Sequence, residues 1–90
     1  MFEYDPAKSD TNLAKHGIDF EIAQRLWQDE WLLQVKARQG ITGEPRWLCI
    51  GRIGSRHWSA VITMREDVIR LISVRRSRPE EIELYEQEKF

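Results

Sequence analysis

The chain has 90 residues, 41% of them hydrophobic, and a formal net charge of −1. That is one small domain with enough apolar surface for one core. A single cysteine excludes an internal disulfide, one cysteine with two histidines argues against a structural zinc site, and no apolar run reaches membrane-spanning length.

Residues 1–4 are short and mixed, a candidate edge strand. Asp5-Pro6 reads as a helix start, with Asp as N-cap and Pro at the first helical position. The helix is predicted to run to His16 and stop at Gly17, packing through a narrow stripe of Ala7, Leu13 and Ala14. Asp19 then caps a second helix whose apolar face is Ile22, Ala23, Leu26 and Trp27, with Ile18 stapled to Ala23. The two helices form a tight hairpin bent at residues 15–17.

From Trp31 the apolar period changes to that of strands. Residues 31–37 (WLLQVKA) are predicted as a strand, and residues 37–45 (ARQGITGEP) as a turn-rich loop. Three more strands follow, at residues 46–53, 56–64 and 68–74, joined by Gly54-Ser55 and by residues 65–67. Such short connections predict an antiparallel meander. In the third strand Trp58, Ala60, Ile62 and Met64 share one face, and His57, Ser59, Val61 and Thr63 the other. Residues 79–90 open with Pro and Glu and form a last helix, with Ile82–Tyr85 and Glu86–Phe90 spacings that give a narrow packing stripe.

The fold class is therefore α+β. An N-terminal helical hairpin packs on a twisted, mainly antiparallel four-stranded sheet, with a short C-terminal helix. All 90 residues form a single domain. Helices are expected on one face, leaving a more open, basic face or rim on the other. Cys49 lies within an apolar run and reads as a small buried hydrophobe. The N-terminus does not resemble a signal peptide, so a reduced, cytosolic setting is the expectation.

Charge is distributed unevenly. Residues 46–78 hold eight arginines against Glu66 and Asp67, while residues 79–90 hold five glutamates and one lysine. A basic middle between acidic flanks suits a localised anionic ligand. The stretch VIRLISVRRSRP, residues 68–79, concentrates this: an alternating apolar run ends in three arginines among four residues. Guanidinium groups on rigid backbone suit phosphate or carboxylate. The alternative is an exposed, basic strand end.

These residues resemble the BrnT family of toxins from bacterial type II toxin–antitoxin systems over nearly the whole chain. The N-terminal block carries Asp5, Pro6, Asn12, Leu13, Lys15, His16, Gly17, Phe20 and Glu21 in the family's order. The central block carries Glu44, Arg46, Trp47, Gly51 and Arg52. The C-terminal block carries Ile72, Ser73, Val74, Arg75 and Arg76, followed by Glu81 and Tyr85. Val74 departs from the family's common Ala, a conservative packing change, and Pro79 tightens the last helix start.

The resemblance implies a RelE-like fold and a metal-independent endoribonuclease acting on mRNA, with no cofactor. It also implies a cognate BrnA-like antitoxin with a ribbon-helix-helix domain, through which operator DNA is bound indirectly. RNA cleavage without metal needs an aligned 2′-hydroxyl, two proton transfers and stabilisation of the phosphorane. Arg75 is the first candidate for that stabilisation and Arg52 the second. Lys15 and His16 at the helical bend are candidates for proton handling or phosphate contact, or else a solvated helix end and a packing niche. Tyr85 is a candidate acid or base-stacking platform, or else packs the last helix on the sheet.

Alternation predicts that Arg76 points away from Arg75, so Arg76 is expected to contact RNA elsewhere or to grip the partner. Arg78 and Arg46 join it as RNA-binding candidates. Arg70 is expected on the Arg76 face as a solvated strand position. Glu21 and Glu81 are expected to anchor arginines, and His57 looks incidental. The alternative reading is a non-catalytic interaction module, or a degenerate toxin that only binds an antitoxin-like partner through a sheet edge and basic rim.

Overall fold

The computed structural model describes residues 1–40 and 43–89. Ile41 and Thr42 of the expected loop, and Phe90 of the expected helical stripe, lie outside the described residues. Five strands form one sheet: β1 (Phe2–Glu3), β2 (Leu33–Ala37), β3 (Arg46–Ile53), β4 (Arg56–Arg65) and β5 (Val68–Arg76), in spatial order β1-β5-β4-β3-β2. The sheet is thus mixed and five-stranded, not four-stranded: β1 adds to β5 in parallel, pairing Phe2 with Ile69 and Glu3 with Arg70. Two residues are too few for an alternating pattern, so the sequence offered no period to read there.

The α1 helix (Pro6–His16) starts and stops where expected. The Asp5 carboxylate accepts from the Ala7 N–H, and Gly17 takes the left-handed conformation that closes the helix. Its packing stripe differs. Ala7, Leu13 and Ala14 are exposed, and the buried positions are Ser9 and Asn12. Polar groups face inward because the surface they meet is polar. The Asn12 side-chain amide donates to Ile18 O and to Val74 O (both 2.8 Å) and accepts from Val74 N (3.1 Å). It thereby gives the outer edge of β5 the two bonds that a neighbouring strand would supply. Ser9 Oγ accepts from Phe20 N.

The second helical element is also not as expected. α2 (Phe20–Ala23) is one turn, capped by Asp19, and continues as a 3₁₀ segment, Gln24–Gln28. Three residues per turn line up Ala23, Leu26 and Asp29 instead of the 3.6-period face. Ala23 and Leu26 are fully buried, while Ile22 is exposed. With α1 lying along β5 and the 3₁₀ segment on β3, the N-terminal region is two separate covers of the sheet, not a simple hairpin.

These elements cover the face carrying Cys49, Trp58, Ala60, Ile62, Leu71 and Val74, the main core, which Ile18, Phe20, Ala23 and Leu26 complete. Ile18 and Ala23, the expected staple, both enter it. Cys49 is fully buried, and burial pushes its thiol up to about 12. The last helix, α3 (Pro79–Glu88), lies instead against the His57 and Ser59 side of β4. Helices therefore cover both faces.

Cross-strand partners share a face. Ser59 pairs with Arg75 and Trp58 with Arg76, so the two arginines do point to opposite sides. Val61 pairs with Ser73 but Ile62 with Leu71, leaving Ile72 as a bulge. The bulge overturns the expected face of Arg70. Opposite Thr63, it lies on the Arg75 side, and it is not simply solvated: Glu3 stands 3.5 Å away.

Candidate functional site

The site assembles where α3 crosses the Arg52–His57–Ser59–Arg75 corner of the sheet. A two-residue loop, Gly54-Ser55, joins β3 to β4, with Gly54 at φ +63. A tight hairpin fixes the register, so Arg52 must oppose His57. One row further, Ser59 opposes Arg75. By sheet spacings, the Arg52 and Arg75 Cα atoms lie about 12 Å apart. Two arginine side chains can converge across that gap.

Arg75 is held as a fork. Its Nη1 and Nη2 donate to Glu81 Oε1 and Oε2, both at 2.8 Å. Glu81 also accepts from Ser59 Oγ (2.9 Å) and from the Arg78 N–H at the start of α3 (2.9 Å). One carboxylate thus fixes the guanidinium plane, caps the helix and ties both to β4. The Arg75 fork leads the groups that hold the Glu81 carboxyl down at about 2, while the same bond raises Arg75. Glu81 therefore anchors an arginine, as expected; Glu21 is exposed and makes no ion pair among the described residues.

A depressed carboxyl stabilises the fold above its unfolded value, near 4.5, and that contribution is lost as pH falls toward 2. On the order of 3 kcal/mol is expected to disappear across that window. Urea midpoints at pH 7, 4 and 3 measure it, and in Glu81→Gln this part of the decline is expected to be absent.

His57, read from sequence as incidental, stands in the middle of the site. Its Nε2 lies 2.8 Å from Glu86 Oε2, and its ring meets the Tyr85 ring edge-on at 5.3 Å. The hydrogen bond to His57 leads the effects that lower the Glu86 carboxyl. The hairpin was the available signal: a two-residue loop after Arg52 commits the residue opposite it.

Asp29, also missed, joins three elements. Its Oδ1 accepts from the Trp31 N–H (2.9 Å), and its Oδ2 accepts from the Arg52 N–H (2.8 Å) and the Tyr85 hydroxyl (2.6 Å). Burial alone would raise its carboxyl; the bonds from Tyr85, Trp31 and Arg52, with Lys89 nearby, bring it below the ordinary range. Close approach here needs Gly51, because a Cβ at that position would stand 2.8 Å from Leu32 Cδ1 and 3.3 Å from Asp29 Oδ2. Tyr85 is 1% exposed, and burial with the Asp29 bond pushes its phenol upward. Its hydroxyl is committed to Asp29 and its ring is buried, so it packs α3 onto the sheet.

The other candidates are spread out. Arg78 is exposed at the start of α3, beside Arg75. Arg76 lies over the Trp58 ring, on the opposite face, 5.5 Å from its centroid. Arg46 stands at the far end of β3 from Arg52, paired with Glu44 at 3.0 Å. Lys15 and His16 line a second, smaller cleft between α1 and β5, with Asn12, Ile72 and Ser73, and neither borders the cleft beside Arg52.

A family model described as the ribonuclease toxin BrnT of type II toxin–antitoxin systems matches residues 4–81. The chain belongs to the BrnT family. BrnT membership carries ribonuclease activity, with RNA as substrate and an antitoxin as partner. A search of curated proteins returns no match. The BrnT match ends at Glu81, so it spans the Arg75–Glu81 fork and all three site strands, while Tyr85 and Glu86 lie past it. No helix among the described residues is long and apolar enough to cross a membrane.

Proposed function

We propose that this BrnT chain is an endoribonuclease that cuts mRNA without metal and is neutralised by a BrnA-like antitoxin, through which operator DNA is bound indirectly. The observation that carries the reading is the juxtaposition, on one face of the sheet, of two arginines with a histidine bonded to a carboxylate. In this reading the 2′-oxygen attacks the adjacent phosphorus and the P–O5′ bond breaks. The products are a 2′,3′-cyclic phosphate and a 5′-hydroxyl.

His57 takes the 2′-hydroxyl proton, and solvent water protonates the departing 5′-oxygen to give the 5′-hydroxyl. Glu86 holds Nε2 and stabilises the imidazolium that forms, leaving Nδ1 as the working nitrogen. Arg75 and Arg52 take up the charge of the phosphorane, a task suited to groups that stay ionised and present paired donors. Arg78 extends the cationic surface along the RNA. Tyr85 acts through Asp29 as a positioning residue. Lys15 and His16 contact RNA or the antitoxin at the second cleft, and Arg76 and Arg46 serve peripheral contacts.

The test is cleavage of RNA by partner-free protein in EDTA. Cuts that leave cyclic phosphate ends, and that His57→Ala slows by roughly 10²–10⁴-fold, are the expected result. Cleavage that requires added metal overturns the metal-free chemistry. If neither free RNA nor mRNA on translating ribosomes is cut, the non-catalytic module takes its place.

A further inference from the structure

We propose that the open cleft beside Arg52 is a nucleotide subsite in which one RNA base stacks on Trp31 while Arg25, Arg52 and Lys89 hold the flanking phosphates. The inference rests on the ribonuclease reading and adds to it a specific neighbour of the cut site. The cleft is about 540 Å³ and is bordered by Arg25, Asp29, Trp31, Arg52, Tyr85 and Lys89. That volume lies within the range of small-ligand sites, roughly 300–1,000 Å³.

Trp31 is 45% exposed, although tryptophan is the residue with most to gain from burial. Its backbone N–H donates to Asp29 Oδ1 at 2.9 Å, which fixes the main chain just before β2. An exposed indole carried on a fixed main chain gives a splayed base a surface to stack on.

The charges around it favour an anion. Arg25 and Arg52 form no ion pair among the described residues, and Arg52 engages one guanidinium nitrogen, Nη2, with Gly54 O at 3.2 Å. Asp29 is the carboxylate of the cleft wall, but its oxygens already accept three hydrogen bonds from the protein. Lys89 sits 3.6 Å from Glu86 and over the Tyr85 ring, at the junction with His57. The cleft therefore adjoins the proposed reaction centre: Arg52 belongs to both, and the cleft-lining Tyr85 touches the His57 ring. An acidic peptide would satisfy the cations but would leave the indole face without a matching flat partner.

A short 2′-O-methyl RNA oligonucleotide, which lacks the attacking hydroxyl, tests this by fluorescence titration. The wild-type protein is expected to show tryptophan quenching on binding. Trp31→Ala is expected to bind roughly ten- to a hundredfold more weakly. Trp31→Phe is expected to retain more of the affinity while losing the quench, which a merely structural role would not produce. If Trp31→Ala binds the oligonucleotide as tightly as wild type, the subsite is wrong. The ribonuclease reading then stands or falls separately on cleavage in EDTA. If wild type does not bind the oligonucleotide, the subsite is overturned, and the ribonuclease reading is decided separately by cleavage of free RNA and of mRNA on translating ribosomes. If Trp31→Ala weakens antitoxin binding but not RNA binding, the cleft belongs to the protein partner and the proposal is overturned.

Discussion

Asn12→Ala is expected to lower the stability of the fold by about 2–4 kcal/mol, although the side chain removed is small and polar. The reason is what stays behind. Three bonds, at 2.8, 2.8 and 3.1 Å, vanish together and leave Ile18 O, Val74 O and Val74 N buried without partners. Water cannot readily reach groups on a strand edge covered by α1. Asn12→Asp separates the donor role from the acceptor role. The carboxylate still accepts from Val74 N but sets negative charge against two carbonyl oxygens. This variant is expected to be least stable near neutral pH and to recover as pH falls and the acid regains a proton. Urea midpoints at pH 7 and pH 4.5 check both statements. Equal stability of Asn12→Ala and wild type would mean that α1 does not hold β5 through this amide.

Arg75→Ala is expected to reduce RNA cleavage by roughly 10²–10³-fold, the loss typical when a preorganised donor to a developing oxyanion is removed. It is also expected to destabilise the protein, because Glu81 loses both arms of the fork. Activity must therefore be measured where the variant is shown to be folded. Arg75→Lys keeps the charge but not the planar pair of donors, so it is expected to recover part of the stability and little of the rate. Glu81→Gln disturbs the same corner while leaving the guanidinium in place. If Glu81→Gln abolishes cleavage as fully as Arg75→Ala does, the effect belongs to the fold of the corner rather than to the charge of Arg75.

Much of this architecture was legible from single residues with a mechanical meaning. Asp5, Pro6 and Gly17 bounded α1, Asp19 capped α2, and Gly54-Ser55 fixed the β3–β4 register. The parts that were not legible share a cause: each depends on a partner distant in sequence. Asn12 reads as a polar helix residue until the edge of β5, 62 positions away, supplies its bonds. Asp29 looks like a solvated acid until Tyr85, 56 positions away, donates to it. The edge strand expected within residues 1–4 is present as β1, but its parallel pairing with β5 could not be read from two residues that carry no period. The switch from α-helix to 3₁₀ after Ala23 follows from how Leu26 and Asp29 meet β3, not from any local propensity.

Of the residues named from sequence, Arg75 bonds to α3 through Glu81, and Arg52 borders one cleft with Tyr85 of α3. Lys15 and His16 were grouped with them because they are chemically suitable, and the fold sets them beside a different cleft. His57 was overlooked because a lone histidine next to a turn carries no signal until its cross-strand neighbour is considered.

The bulge at Ile72 turns the C-terminal half of β5 into a question of parity. With one residue of slack between Leu71 and Ser73, Arg75 faces Glu81 and Arg76 faces Trp58. Remove that residue and the ladder becomes regular, with Ser73 still opposite Val61, Arg75 still opposite Ser59 and Arg76 still opposite Trp58. Position 72 can therefore be replaced or lost without exchanging the sides of the two arginines. The unbroken register of Ser73–Arg76 against Trp58–Val61, not the slack before it, decides which arginine faces the reaction.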